Sequence, residues 1–430
     1  MQAVLLAAGQ SSRFFPYNTK HKCLVKILGE PLIVYTIRAV KRAGINDIIL
    51  IVPNEHDFQD VLGNGKKFGV KISYSMQPRP TGAGEMILSS SKLIKSDFFL
   101  INSNHVEFDT LKKIIDGKRK TNNEAVLLAT QGVAGKKYGA LKVEGDKVLA
   151  VREKPKNDRT FSNLRVIGVY FLNQEFVKIL KKVKKEHYSL ERALDVYAKK
   201  GKVRISISRE QVYSLKYPWD LLEVKNYLLA KIKRNISKKA YVAKSAQIDG
   251  DVVIEENVHV LENAVIKGPA YIGQGAFIGS NSLIRNSSDI EENAKIGAYM
   301  EVKNSLIGEN SSTHSGFIGD SIIGSSTKIG ALFGTANVRL DRKNVTTTIK
   351  GEKVDTQLRS LGAIIGSNTT VGERVSTMPG VVIGNNVKVG PSTTVMKNID
   401  SNATYYTKFS EIIEKNSGLK ISVKPAPKIK

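Results

Sequence analysis

Cysteine is nearly absent from the chain: Cys23 is the only one in 430 residues. One thiol excludes an intrachain disulfide and fits a reducing, cytoplasmic setting. Long apolar runs are missing as well. None approaches the roughly 20 residues that cross a bilayer, so no membrane span is expected. The short apolar start, Met1 to Leu6, has no basic leader and reads as a strand, not as a signal peptide. Acidic residues are scarce, 40 against 66 Lys and Arg, for a net charge of +26. Such a balance suits a protein that handles anions, such as nucleotides, sugar phosphates, coenzyme A or nucleic acid. The lysines are spread along the chain, as on a solvated surface. No aromatic RNA-binding motif or recognition-helix pattern accompanies them, so nucleic acid is not the expected partner. The one concentrated run, Lys420 to Lys430, is interrupted by prolines and has the composition of a disordered tail.

What the chain does have is a ladder of aliphatic residues spaced six apart: Ile236, Val242, Ile248, Ile254, Val260, Ile266, Ile272, Ile278, Ile284, Ile290, Ile296 and Val302. Helices bury every third or fourth residue and simple strands every second. A period of six fits a coil of short straight segments, each pointing one aliphatic side chain inward, in which no turn buries its own face. After Val302 the hexads slip, with Ile307, Ile318, Ile323 and Ile329 in the inward role. A hexad-free insertion then runs to about Leu361. The ladder returns as Ile365, Val371, Thr377, Ile383, Val389 and Val395, with Thr377 its one polar member. Length and pattern divide the chain into an α/β domain over 1–230, a parallel β-helix over 235–405 and a basic tail over 406–430.

In the first domain, residues 2–8 form a buried-strand pattern followed by Gly9, Gln10, Ser11, Ser12 and Arg13. A strand ending in Gly and small residues presents backbone N–H groups together, a cradle for phosphate oxygens. Lys22 precedes a second expected strand, Leu24 to Leu28. An amphipathic helix opens at Glu30-Pro31 and closes at Gly44, and Asp47 to Val52 is a further buried strand. Strand, loop, helix and strand make a βαβ unit and a mostly parallel, Rossmann-like sheet. One long amphipathic helix is expected over 173–200, and another from Pro218 to about Lys233, with Pro in its first turn.

The segment LAAGQSSRFFPYNTKHKCLVKILGEPLI resembles the signature of the sugar-1-phosphate nucleotidylyltransferases, in Leu6, Ala7, Ala8, Gly9, Arg13 and Lys22, with Ser11 where Gly is commoner. In that chemistry a sugar phosphate oxygen attacks the α-phosphorus of a nucleoside triphosphate and expels pyrophosphate, so the site works by positioning and charge neutralisation. The resemblance gives the loop amides to the triphosphate, Arg13 to the departing pyrophosphate and Lys22 to the α-phosphate. Gln77 and Gly82 resemble the base-reading segment. Gly139, Glu153 and Lys154 resemble the sugar- and phosphate-binding segments. It also implies Mg²⁺ held by two carboxylates, at positions occupied here by Asn104 and Ser214, with Asp97, Glu107 and Asp109 as possible substitutes. Val166 stands where Asn is usual. His105 reads as a plain loop histidine.

The stretch from Thr313 through Val338 resembles the acetyltransferase half of the bifunctional enzymes that make UDP-N-acetylglucosamine, whose coil is a left-handed β-helix. That resemblance assigns His314 as general base on an amino-sugar phosphate, Ala331 and Asn337 to the acetyl-CoA and acceptor pocket, and Lys343 to the sugar phosphate. Phe317 stands where archaeal relatives carry Tyr, and Thr346 where they carry Lys. Coils of this family stack as homotrimers. The implied substrates are UTP, N-acetylglucosamine 1-phosphate and acetyl-CoA. The alternative is a first domain that only binds ligand, beside an acyltransferase or scaffold coil.

Overall fold

Apolar runs bounded by glycine and polar clusters become the strands of one nine-stranded sheet in the first domain: β1 (Gln2–Leu6), β2 (Asp47–Val52), β3 (Lys71–Met76), β4 (Phe98–Asn102), β5 (Ala125–Gln131), β6 (Gly139–Glu144), β7 (Lys147–Glu153), β8 (Leu164–Leu172) and β9 (Val203–Ser208). The computed structural model describes residues 1–79, 81–118, 124–131, 139–153 and 162–413. Strand order is β3-β2-β1-β4-β8-β5-β9-β7-β6. The sheet is mixed, where a mostly parallel one was expected. β1 to β4 pair in parallel, as buried βαβ strands should. β8 runs antiparallel to both β4 and β5, and β6 and β7 form a hairpin whose short connection leaves no room for a crossover.

Among the described residues seven helices flank this sheet: α1 (Leu32–Arg42), α2 (His56–Leu62), α3 (Ala83–Ser89), α4 (Phe108–Asp116), α5 (Gln174–Leu180), α6 (Ser189–Lys199) and α7 (Asp220–Leu229). None is long and apolar enough to cross a membrane. The single helix expected over 173–200 is two. Asn173 caps α5 by accepting a bond from the Phe176 N–H at 2.9 Å. The lysine-rich stretch 181–188 offers only Val183 to the core, so burial does not carry the helix through it. The strand expected over 24–28 shrinks to Lys26–Ile27, paired with Glu30–Pro31 after a short 3₁₀ turn.

From Asn235 onward three strips of parallel strands wind into a β-helix. Ile236 pairs with Ile254, Ile254 with Ile272 and Ile272 with Ile290, each eighteen places after the last. The six-residue ladder is therefore three inward columns, one per face, and from Ile254 to Val302 its members are fully buried. Asn257, Asn263, Asn281 and Asn293 turn corners with positive φ, the left-handed conformation that Asn tolerates. The slips after Val302 are turns shortened by one or two residues: Ile290 pairs with Ile307, and Val302 with Ile318. Thr313 and Thr335 take inward positions there that the aliphatic pattern did not reveal. The insertion leaves after Thr335, forms a hairpin of Thr346–Ile349 with Glu352–Asp355, and returns so that Ile322 pairs with Ile364. Residues 406–413 of the expected tail lie beyond the last strand, Thr404–Tyr405. The rest of the tail, 414–430, lies outside the described residues.

The two parts dock through one apolar cluster that takes Tyr271, Leu306, Ile322 and Ile364 from the coil and Leu28, Val34 and Leu228 from the first domain. Polar groups fix the orientation. The Leu28 and Gly29 N–H groups donate to Asp289 (2.9 Å) and Glu291 (3.1 Å), and the Tyr17 hydroxyl donates to the Ile365 carbonyl at 2.7 Å. Lys225 of α7 is fully buried and donates to Asn226 Oδ1 (2.8 Å), Asn304 Oδ1 (3.2 Å) and the Ser287 carbonyl. Burial pushes its ammonium below the usual lysine range, while Asp289 and Asp320 oppose that shift. Removing one partner of a buried charge cluster costs about 3–5 kcal/mol, whereas an apolar residue of similar volume costs less once the opposing acid is also neutral. Lys225→Ala is expected to lower the unfolding free energy measured by urea titration by that much, and Lys225→Met with Asp289→Asn to recover most of the loss.

Candidate active sites

A cavity of about 330 Å³ opens beside the C-terminal ends of β1 and β4, where an open α/β sheet places its ligands. Arg13, Lys22, Asn104 and Ser214 line it together with Arg165, Val166, Gly168, Glu191 and Lys216. The loop after β1 explains one departure from the signature: Ser11 has φ +50°, a conformation that favours glycine, and its hydroxyl accepts the Lys22 N–H at 3.2 Å. The Lys22 ammonium donates to the carbonyl of Leu215, next to Ser214, at 2.5 Å. Burial lowers the pKa of that ammonium, against the opposing fields of Cys23 and Asp220. Arg13 lies 5.7 Å over the Tyr217 ring, which stacks on Trp219. Both signature cations therefore converge on the segment 214–217. Asp220 holds that segment by accepting the Lys216 (2.5 Å) and Tyr217 (3.0 Å) N–H groups, and burial raises its carboxyl to about 6.

β8 bulges against β5 between Val166 and Tyr170, at the cavity wall. Gly168 sits in this bulge with φ +77°, and a Cβ there would meet the Asn102 side chain at 2.0 Å. His105, buried, donates from Nε2 to the Ile167 carbonyl at 2.7 Å and faces Glu107 through Nδ1 at 3.1 Å, in keeping with a structural histidine. Leu6 ends β1, and Ala7 and Ala8 are buried behind it. Gln77 and Gly82 do not line the cavity. Gln77 donates to Thr81 Oγ1 at 2.5 Å, and Gly82, with φ +111°, lets the His187 carbonyl approach where a Cβ would stand only 2.2 Å away. Gly139 and Glu153 are paired across the β6–β7 hairpin. Lys154 lies outside the described residues.

On the coil, His314 is exposed at a corner, and its N–H donates to the Ile329 carbonyl. Ala331 lies one turn later, and its carbonyl accepts the Arg374 N–H. Lys343 is exposed on the insertion. Phe317 and Asn337 are neighbours over Gly319, where a Cβ would meet the ring at 2.4 Å and Asn337 Nδ2 at 3.0 Å. Asn337 Nδ2 donates to Asp320 Oδ2 at 2.5 Å; Asn304 Nδ2 donates to Asp320 Oδ1 at 2.8 Å; Lys303 pairs with the same carboxylate at 2.7 Å. Asp320, with φ +50° and almost fully buried, is thus the hub that aims Asn337.

Two family profiles match the chain in the same order as its two folds. The nucleotidyl transferase family matches residues 2–220, and the six-repeat bacterial transferase hexapeptide family matches 251–286 and 362–397. A protein of Methanococcus maripaludis strain C7 named bifunctional protein GlmU is 35% identical over 421 residues, covering 96% of this chain and 99% of its own. The chain belongs to the bifunctional GlmU family. A GlmU protein of Methanocaldococcus jannaschii is 31% identical over 96% of this chain and 100% of its own. A bifunctional sugar-1-phosphate nucleotidylyltransferase/acetyltransferase of Sulfurisphaera tokodaii is 31% identical over 93% and 98%.

The donor set in the first cavity lacks the two carboxylates that the family resemblance implies. Mg²⁺ prefers carboxylates alongside phosphate oxygens, but Asn104 and Ser214 are neutral, and Asn104 Nδ2 is spent on the Tyr213 carbonyl at 3.0 Å. None of the substitutes serves. Asp97 precedes β4, at the opposite end of the strand. Asp109 pairs with Arg42 at 2.8 Å. Glu107 gives one oxygen to His105 and the Tyr213 N–H; its other oxygen is buried without a partner, but Glu107 does not line the cavity. Among the described residues no group of three or more His, Cys, Asp or Glu side chains is placed to hold a metal ion. Mg²⁺ does not fit the residues present. Sequence reasoning also missed Asp320, Arg165 and Lys216, since none carries a motif; the slipped hexad around Asp320 was the only signal. Asp320→Ala is expected to cost about 2–3 kcal/mol, as hydrogen bonds to a charged group are lost, and to release Asn337. Denaturant unfolding measures the first effect and acetyl transfer the second.

Proposed function

We propose that this chain assembles nucleotide sugars, with amino-sugar phosphate acetylation on the coil and nucleotidyl transfer in the first domain. The supporting observation is the convergence of Arg13 and Lys22 on one cavity at the switch of the sheet. In this reading the amides after Leu6, Ala7, Ala8 and Gly9 hold the triphosphate and Gly139, Glu153 and Lys154 meet the sugar phosphate, while Gln77 and Gly82, which the resemblance gives to the base, lie outside the cavity lining. Lys22 neutralises the α-phosphate as the sugar phosphate oxygen attacks, and Arg13 receives the departing pyrophosphate. UTP and N-acetylglucosamine 1-phosphate are the substrates we assign, following the family, in the cytoplasm.

On the coil, the acceptor amine attacks the thioester carbonyl of acetyl-CoA. His314 takes the amine proton, the amide forms, and coenzyme A leaves through sulfur; an imidazole suits this exchange at neutral pH. Asn337 and Ala331 line that pocket, and Lys343 meets the sugar phosphate. Tyr299 and Leu332 flank His314 along the same coil corner, 72% and 60% exposed, each with φ +56°. Bulky residues rarely adopt that conformation, and strain of this kind collects at functional surfaces. We assign this edge to the homotrimer contact, so that a neighbouring subunit completes the acyl site. A second reading, in which the first domain binds its ligand without turnover, is favoured by the neutral Asn104 and Ser214.

The test follows pyrophosphate release from each of the four triphosphates with a panel of sugar 1-phosphates, and thiol release from acetyl-CoA with glucosamine 1-phosphate. Arg13→Ala is expected to cut the first activity by about 10²-fold or more, and His314→Ala the second by about 10²–10⁴-fold. Bound nucleotide without pyrophosphate release would establish the second reading.

A further inference from the structure

We infer that the first-domain cavity binds phosphorylated ligand without a divalent cation, using protein cations where relatives with carboxylates would use a metal. The inference rests on the proposed nucleotide site and goes further in naming what neutralises the phosphates. Three observations carry it. Both positions that the family resemblance gives to metal carboxylates are neutral here, and Asn104 is turned onto a backbone carbonyl. Lys22 places its ammonium on the carbonyl of Leu215, beside Ser214, so a fixed positive charge occupies the neighbourhood of the second missing carboxylate. The described lining brings Arg13 into the same cavity as Lys22, with its guanidinium over Tyr217 in the segment that Lys22 also reaches.

The chemistry of the two designs differs in sign. A site with two carboxylates repels a bare triphosphate and accepts it as its metal complex, because the divalent ion cancels charge on both sides. A site lined by ammonium and guanidinium groups attracts the bare triphosphate most strongly and repels a free divalent ion. Guanidinium groups also grip phosphate with paired N–H donors, which makes the contact directional as well as charged. Burial lowers the pKa of Lys22 and a bound anion opposes that shift, so the buried ammonium favours an anionic partner. Asp220 completes the arrangement from outside the cavity: it holds the Lys216 and Tyr217 N–H groups and so fixes the segment on which Lys22 and Arg13 converge.

The experiment is calorimetric titration of the full-length protein with UTP, and with the other three triphosphates in parallel, in excess EDTA and in excess MgCl₂. The expected result is binding in EDTA at least as tight as in MgCl₂, weakened about tenfold or more by Lys22→Ala. Asn104→Asp with Ser214→Asp is expected to invert the order, so that Mg²⁺ tightens binding about tenfold. Wild-type binding that needs Mg²⁺ would overturn the inference and leave the nucleotide site standing. Binding untouched by Lys22→Ala would move the ligand elsewhere and overturn it too. No binding of any triphosphate, with or without Mg²⁺, would overturn both the inference and the proposed nucleotide site.

Discussion

Each inward aliphatic side chain of the coil rests on its counterpart one turn earlier, and the rest of the molecule depends on that stacking. A turn of three short strands cannot bury its own interior face, so the columns headed by Ile236, Val242 and Ile248 are stable only as columns. A fully buried Ile contributes about 1.5–3 kcal/mol, and the coil repeats that gain at every straight segment. Regular stacking also leaves the outer face free. Corners, slips and the one insertion can change there without disturbing the interior, and this is where His314, Asn337 and Lys343 lie.

The docking interface shows what burial does with charge. Asp289 and Glu291 accept backbone N–H groups of the Leu28–Gly29 turn, while Lys225 is surrounded by oxygen acceptors. The same short hairpin follows directly on the loop that carries Arg13 and Lys22. The coil therefore contacts the hairpin that follows the cavity loop, although it supplies no residue to the described lining. Asp320 plays a related part on the coil. It gathers Lys303, Asn304 and Asn337, and its field also reaches Lys225. Polar order in the interface is thus continuous with the Asp320–Asn337 cluster on the coil.

Charge in the first cavity departs from what the fold alone suggests. Residues 2–220 match the nucleotidyl transferase family, yet Asn104 and Ser214 are neutral in a cavity that Arg13 and Lys22 also line. A fold positions a ligand, but the side chains decide which charge state of that ligand is welcome.

The sequence by itself determined the coil, the βαβ start of the first domain and the loop that carries Arg13 and Lys22. A six-residue period and a short signature are local patterns, and each of their residues has one physical role wherever the chain runs. The neutral Asn104 and Ser214 were legible for the same reason. Only the tertiary structure decided the split of the helix expected over 173–200, the antiparallel half of the sheet and the inward turn of Thr313 and Thr335. It alone brought Lys22 to Leu215, Asp320 to Asn337, and Lys225 to the coil. Contacts of this kind join segments far apart in the chain, and they depend on which side chains meet once both surfaces are built. No period records that, because the energy lies in the meeting and not in either segment.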